Sequence, residues 1–272
     1  MQDSNWSEEH SEAQGLTIKQ AIANLTSPDL SLRYYAAWWL GKFRVRDPAA
    51  IAALIAALAD QADRTELGGY PLRRNAARAL GKLGDSQAVP GLIRCLECSD
   101  YYVREAAAQS LGMLGDATAI PALMQLLNGG IEAAVQVPGR PHLTQPYDAA
   151  LEALGSLHAT QAIPLIQPFL EHPQIKVQYA ATRAMYQLTK DDIYGQRLVQ
   201  ALAGKDLNLR RTALADLGAI GYLGACEAIA QCAAENSFKL LALKGLLEHQ
   251  ITLHAALSPD AMRVMNLMDS LL

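Results

Sequence analysis

Tyr34, Tyr35, Trp38 and Trp39 fall within six consecutive positions of a 272-residue chain in which only 6% of residues are aromatic. Rings of this kind stack on flat conjugated molecules or anchor a protein partner. Lys42 follows within the same stretch, and Arg74 and Arg78 lie further on. Guanidinium groups grip carboxylates with two parallel hydrogen bonds, and cations are drawn to aromatic faces. Of the six histidines (His10, His142, His158, His172, His249 and His254), His142 lies in a Gly/Pro-rich stretch near Tyr147 and is the one suited to a test as proton donor.

Other chemistries lack their residues. The chain has no G-x-x-x-x-G-K-S/T, G-x-G-x-x-G, G-x-S-x-G or H-E-x-x-H. Glu9-His10, Glu171-His172 and Glu248-His249 share no common phase, which argues against a di-iron oxygenase and leaves no metal expected. Cys95 and Cys98 form a C-x2-C pair without the second pair a zinc site needs. Together with Cys226 and Cys232 they read as free thiols, at home in a reducing cytosol. A net charge of −4 disfavours nucleic acid as the main partner. No apolar run reaches the ~18 to 20 residues of a membrane span.

The elements that must position these residues repeat. The stretch Leu32–Gly41 returns as Leu72–Gly81, Val103–Gly112 and Leu209–Gly218, with weaker copies at 146–155 and 177–186. The closing positions 41, 81, 112, 155, 186 and 218 are separated by 40, 31, 43, 31 and 32 residues. Periods of this length mark stacked helical units. Between copies runs a second helical periodicity, as in Ile51, Leu54, Ile55, Leu58 and Val89, Leu92, Ile93, Leu96. Pro48, Pro90, Pro121 and Pro164 open these helices. Asp100 and Asp206 cap the copies, and Gly84, Gly115 and Gly221 end them. Paired alanines let neighbours approach closely. The expected fold is an all-α, right-handed α-solenoid of HEAT-like helical hairpins: residues 1–15 a flexible leader, 16–272 one domain of about six repeats plus C-terminal helices.

On a helical wheel Leu32, Ala36, Leu40 and Phe43 share the core stripe. Trp39 lies at its edge, more core than ligand in character. Tyr34 and Trp38 point away from the core, flanked by Tyr35 and Lys42. The sister positions of Tyr34 are Arg74, Glu105, Asp148, Tyr179 and Arg211, and those of Trp38 are Arg78, Gln109, Glu152, Arg183 and Ala215. Mostly polar residues therefore stand where the first copy has rings. Two explanations stand at this point: an occupied surface, or cover by the segment 16–25. Arg33, Arg73, Arg104 and Arg210 recur in phase and read as structural partners of the capping aspartates, whereas Arg74 and Arg78 are ligand candidates. Two long connections, 60–71 (with Tyr70) and 128–146 (with His142), are either binding loops or tolerated insertions.

The stretch Tyr34–Arg44 resembles the signature of E/F-type phycobilin lyases, specifically their E subunit. Gly68–Gly81, Asp85–Pro90 and Asp116–Pro121 are similar to that group as well. The resemblance implies a heterodimer with a shorter F-type subunit. It further implies thioether attachment of phycocyanobilin, a bound substrate rather than a prosthetic group, to one cysteine of the phycocyanin alpha subunit. Detachment is the same reaction reversed, and a related pair also isomerises the bilin. The implied location is cytoplasmic, in a cyanobacterium, or plastid stroma. The implied site takes Tyr34, Tyr35, Trp38, Trp39 and Tyr70 for the π system and Lys42, Arg74 and Arg78 for the propionates. Trp38 and Tyr34 are its central residues, with His142, Asp148 and Glu105 as proton-transfer candidates. The apolar stretch 238–272 is then a docking surface for the partner subunit. The competing expectation is a non-catalytic HEAT-repeat adaptor or scaffold gripping phycobiliproteins or other proteins.

Overall fold

Aspartates set several of the helix starts. Asp29, Asp47, Asp100, Asp191 and Asp206 each turn a carboxylate oxygen back onto an N–H of the first turn, removing one unpaired donor. In a computed structural model that describes residues 16–253 and 257–272, they help to shape two compact units, one running to Asp116 and the other Ala117–Leu272. The expected leader, residues 1–15, lies outside the described residues.

The first unit comprises α1 (Ile18–Asn24), α2 (Leu30–Lys42), α3 (Pro48–Ala57), α4 (Pro71–Leu83), α5 (Val89–Cys95) and α6 (Tyr101–Leu114). The second comprises α7 (Ile120–Gln125), α8 (Gly130–Ala133), α9 (Tyr147–Ser156), α10 (Ile163–Ile166), α11 (Ile175–Thr189), α12 (Asp192–Ala201), α13 (Leu207–Ile220), α14 (Cys226–Gln231), α15 (Asn236–Leu253) and α16 (Pro259–Asp269). One isolated bridge, Gln136 with Leu143, is the extended pairing among the described residues. The all-α, hairpin-repeat reading holds. Proline opens α3, α5, α7 and α10, and Gly84, Gly115 and Gly221 carry the positive φ of left-handed stops.

Copies of the repeat stack on one another, α2 on α4 on α6 in the first unit and α9, α11, α13 and α15 in the second. The closing glycine is the point of closest approach. A β-carbon on Gly81 would lie 2.9 Å from the Ser110 Cα, and one on Gly155 2.8 Å from the Ala184 Cα.

Two expectations about packing need correction. Ala36 and Leu40 are buried, but Leu32 is exposed and Phe43 is 60% exposed. A wheel treats a helix as endless, whereas these two stand at its ends, past the reach of the neighbours; Phe43 instead lies against Trp39, ring centroids 5.0 Å apart. The in-phase arginines are structural, yet they mostly meet carbonyls. Arg104 Nη1 donates to the Cys98 oxygen at 2.6 Å, and Arg210 Nη1 to the Gly204 oxygen at 2.6 Å. The unpaired carbonyls that close the preceding helical hairpin concentrate negative charge there, which draws the guanidinium. Arg33 finds a carboxylate, Asp60 Oδ1 at 2.8 Å.

Both long connections are pinned. Tyr70 cannot cap α4 with its ring, so Asp63 Oδ2 accepts from the Leu72 N–H at 2.7 Å and Asp100 Oδ2 from the Tyr70 N–H at 2.7 Å. In the second connection, buried His172 donates from Nε2 to the Ala134 oxygen at 3.0 Å while Nδ1 accepts the Gln174 N–H at 3.0 Å. The two bonds define the neutral tautomer, and the Phe169 ring stacks on the imidazole.

Candidate functional site

In the first unit α2 presents Trp38, 43% exposed, beside the exposed rings of Tyr34 and Tyr35. Tyr35 and Trp38 lie 5.5 Å apart, inclined by 32°. Helix α1 packs on α2 and α3 and leaves these rings open, so the segment 16–25 is not their cover. Trp39 is half-buried on Phe43, as its place on the wheel suggested. Lys42 is exposed in the last turn of α2.

Helix α4 lies alongside, tied on by Asn75 Nδ2, which donates to the Tyr34 oxygen at 3.3 Å. It carries the cations. The Arg74 guanidinium sits 5.8 Å from the Tyr102 ring centroid, and its Nε is buried without an acceptor among the described residues. Arg78 Nη2 lies 3.6 Å from Glu105 Oε2 of α6. One face of this unit therefore runs from open rings to guanidinium groups to a carboxylate. Such an order suits a flat conjugated molecule that carries carboxylates.

Tyr70 does not belong to this face. Its ring is only 8% exposed, with the Arg73 guanidinium 4.1 Å and the Arg64 guanidinium 5.6 Å from its centroid. Both its ring and its amide are engaged by the loop 60–71 and by Asp100. His142 and Asp148 belong to the second unit. His142 is half-buried, with Nδ1 2.8 Å from the Leu143 oxygen, and Asp148 Oδ1 accepts the N–H of Ala149 at 3.0 Å at the start of α9.

Two features of the second unit escape a wheel-based search. One is a groove of about 700 Å³ between α13 and α15, floored by Ala215 and Gly245 and walled by Phe238 and Leu241. Its sequence signal was Ala215, the small residue in the column of Trp38. The other is a contact among Glu152, Arg183 and Asp216 on three successive helices. Burial raises the thiols of Cys95 and Cys226 to about 11, so neither supplies a thiolate nucleophile at neutral pH. Among the described residues no three His, Cys, Asp or Glu side chains group to hold a metal ion.

Comparison with known proteins adds a family context. A model of PBS lyase HEAT-like repeats matches residues 32–60 and 147–172, and a model of HEAT repeats matches 70–136. The phycocyanobilin lyase subunit alpha of Nostoc sp. is 72% identical over 260 residues, 94% of each chain. The bilin biosynthesis protein PecE of Mastigocladus laminosus is 47% identical over 86% of this chain and 82% of its own. A solved structure of the complex of CpcE and CpcF of phycocyanin lyase from Nostoc sp. contains a chain that superposes with a TM-score of 0.91 at 72% identity, covering 96% of this chain and 97% of that one.

Proposed function

The chain belongs to the phycocyanobilin lyase alpha-subunit family, and on that premise we propose that the open ring pair Tyr35–Trp38 is the platform on which the bilin is held for transfer. The enzyme is a bilin lyase that works with an F-type partner subunit and joins phycocyanobilin to a cysteine of the phycocyanin alpha subunit. The same machinery can run the bond in reverse. The observation that carries the assignment of the platform is its exposure: three adjacent aromatic side chains stay open beside two arginines.

Each group has a task that follows from its chemistry. Trp38 and Tyr35 stack on the conjugated system, with Tyr34 beside them. Arg74, Arg78 and Lys42 meet the propionates. The nucleophile is the acceptor's thiol, in keeping with the raised Cys95 and Cys226 thiols of this chain. Its sulfur bonds to the ethylidene carbon while the π pair takes up a proton at the adjoining ring carbon. No electron is gained or lost, so fixing the bilin's orientation supplies much of the acceleration. The exposed side chains of Leu241, Ile251 and Met262 on α15 and α16 are the surface we assign to the partner subunit. No described helix is long and apolar enough to cross a membrane.

The test is reconstitution. This chain, an F-type subunit, apo phycocyanin alpha subunit and phycocyanobilin are combined, and covalent bilin is read by zinc-enhanced fluorescence on a denaturing gel. A fluorescent acceptor band that needs both subunits is expected. Its absence would leave a non-catalytic binding role.

A further inference from the structure

Cys98 occupies a slot that the preceding hairpin fills with a carboxylate. Helices α3 and α5 end alike. Asp60 follows Ala57, the last residue of α3, by three positions, and Cys98 follows Cys95, the last residue of α5, by three. In both turns the later N–H donates to the earlier carbonyl, at 3.2 Å for Asp60 and 3.1 Å for Cys98. Each side chain then meets the in-phase arginine of the copy before it. Arg33 Nη1 donates to Asp60 Oδ1 at 2.8 Å, and Arg73 Nη1 donates to Cys98 Sγ at 3.8 Å. A guanidinium is thus set on a sulfur where the sister hairpin gives it an anion.

The surroundings hold this arrangement in place. Arg73 also donates from Nε to the Asp60 oxygen, and its guanidinium lies 4.1 Å from the centroid of the Tyr70 ring. The backbone of Cys98 is tied by Arg104, whose Nη1 donates to its carbonyl at 2.6 Å. Cys95 stands where α3 and α12 end on Ala57 and Ala201. Burial, and next the neighbouring Cys98, pushes its thiol up to about 11. Both cysteines line one cavity of about 380 Å³, with Arg73, Gly91, Arg94 and Glu97. None of the residues assigned to the bilin lines it. A turn closed by a hydrogen bond across three positions brings its end α-carbons within about 7 Å, the reach of a disulfide. The two thiols differ in access, Cys98 being half-buried and Cys95 only 6% exposed.

We propose that Cys98 and Cys95 form a thiol–disulfide exchange site, with Cys98 as the attacking thiol, Cys95 as the resolving thiol and the disulfide of a small thiol as the oxidant. The Cys98 sulfur gives up its proton and attacks one sulfur of that disulfide. The S–S bond of the oxidant breaks, one small thiol leaves with a proton, and a mixed disulfide stays on Cys98. Cys95 then loses its proton, attacks the Cys98 sulfur and expels the second small thiol. The cysteine pair loses two electrons and two protons, and the oxidant gains them as two thiols. Burial makes Cys95 a poor first attacker, but its own step is intramolecular. A thiol of high pKa is also a strong nucleophile once deprotonated.

This site is independent of the lyase assignment and is tested without it. The full-length chain is incubated with glutathione disulfide at neutral pH, sampled over time, quenched in acid, alkylated and mapped by peptide mass. The peptide that holds both residues is expected to lose two hydrogens and both alkylation sites before Cys226 and Cys232 lose theirs. Cys95→Ala, which copies the ends of α3 and α12, is expected to stop at a glutathione adduct on Cys98. Cys98→Asp, which copies Asp60, is expected to slow the oxidation of Cys95 at least about tenfold. A wild-type chain whose Cys95 and Cys98 stay alkylatable until Cys226 and Cys232 have reacted overturns the proposal. So does a wild-type chain that keeps the adduct on Cys98 while Cys95 stays reduced. Both readouts come from the wild-type chain and hold whether or not either variant folds.

Discussion

Gly41 lies so close to Ala79 that a β-carbon on the glycine would stand 2.8 Å from the alanine Cα. Within α2 an alanine would ordinarily be favoured over glycine by about 1 kcal/mol. Here the added methyl meets backbone of α4, which cannot swing aside. Gly41→Ala is therefore expected to destabilise the protein by about 1–3 kcal/mol despite the gain in helix propensity. Urea unfolding checks this, and an increase in the midpoint would contradict the close approach.

Trp38 gives the opposite signature. Its ring touches Tyr35 and is exposed rather than part of the core, so truncation removes little core contact. Trp38→Ala is expected to change stability by no more than about 0.5 kcal/mol while reducing bilin transfer at least about tenfold. Trp38→Phe should recover part of the rate, since a smaller ring still stacks. A transfer assay beside a thermal melt separates the two effects, and an unaffected rate would remove the platform.

Tyr70 should behave as a core residue. Its ring is enclosed beneath Arg73 and Arg64, and its N–H is held by Asp100. Tyr70→Ala is expected to cost about 3 kcal/mol, lowering the thermal midpoint, while the folded fraction transfers bilin at the wild-type rate per molecule. A stable variant with weakened bilin affinity would return Tyr70 to the ligand site.

These contrasts show where the sequence was legible. Helix starts and stops are local, so aspartate caps, opening prolines and closing glycines read out directly. The exposure of Tyr34 and Trp38 followed from the wheel and from the polar residues in their sister positions. The fate of Tyr70 did not, because Asp100 lies 30 residues away. The role of His172 was hidden for the same reason, its acceptor at Ala134 being 38 residues distant. The carbonyls that hold Arg104 and Arg210 carry no sequence signal, since every residue has one. Asp216 was visible only as a carboxylate in a column otherwise held by Trp39, Ala79, Ser110, Ala153 and Ala184, and its partners on α9 and α11 emerge only when the helices are stacked.

Asp216 also carries a pH dependence of stability. In the unfolded chain its carboxyl titrates near 3.8, and burial raises it to about 7 in the folded protein. Between those values the folded state keeps a proton that the unfolded chain has released. Unfolding sheds that proton, so stability is highest below about pH 4 for this group, falls as pH rises towards about 7, and is flat above. Each unit of difference is worth about 1.4 kcal/mol, which sets a total loss on the order of 4 kcal/mol. Asp216→Asn cannot titrate and should remove this slope while retaining the contact with Arg183. Urea midpoints taken at intervals from about pH 5 to about pH 8 are expected to decline for wild type and to decline less for the variant. Parallel declines would mean that Asp216 stays ionised throughout, and the charge of the Glu152–Arg183–Asp216 contact would then be fixed rather than proton-dependent.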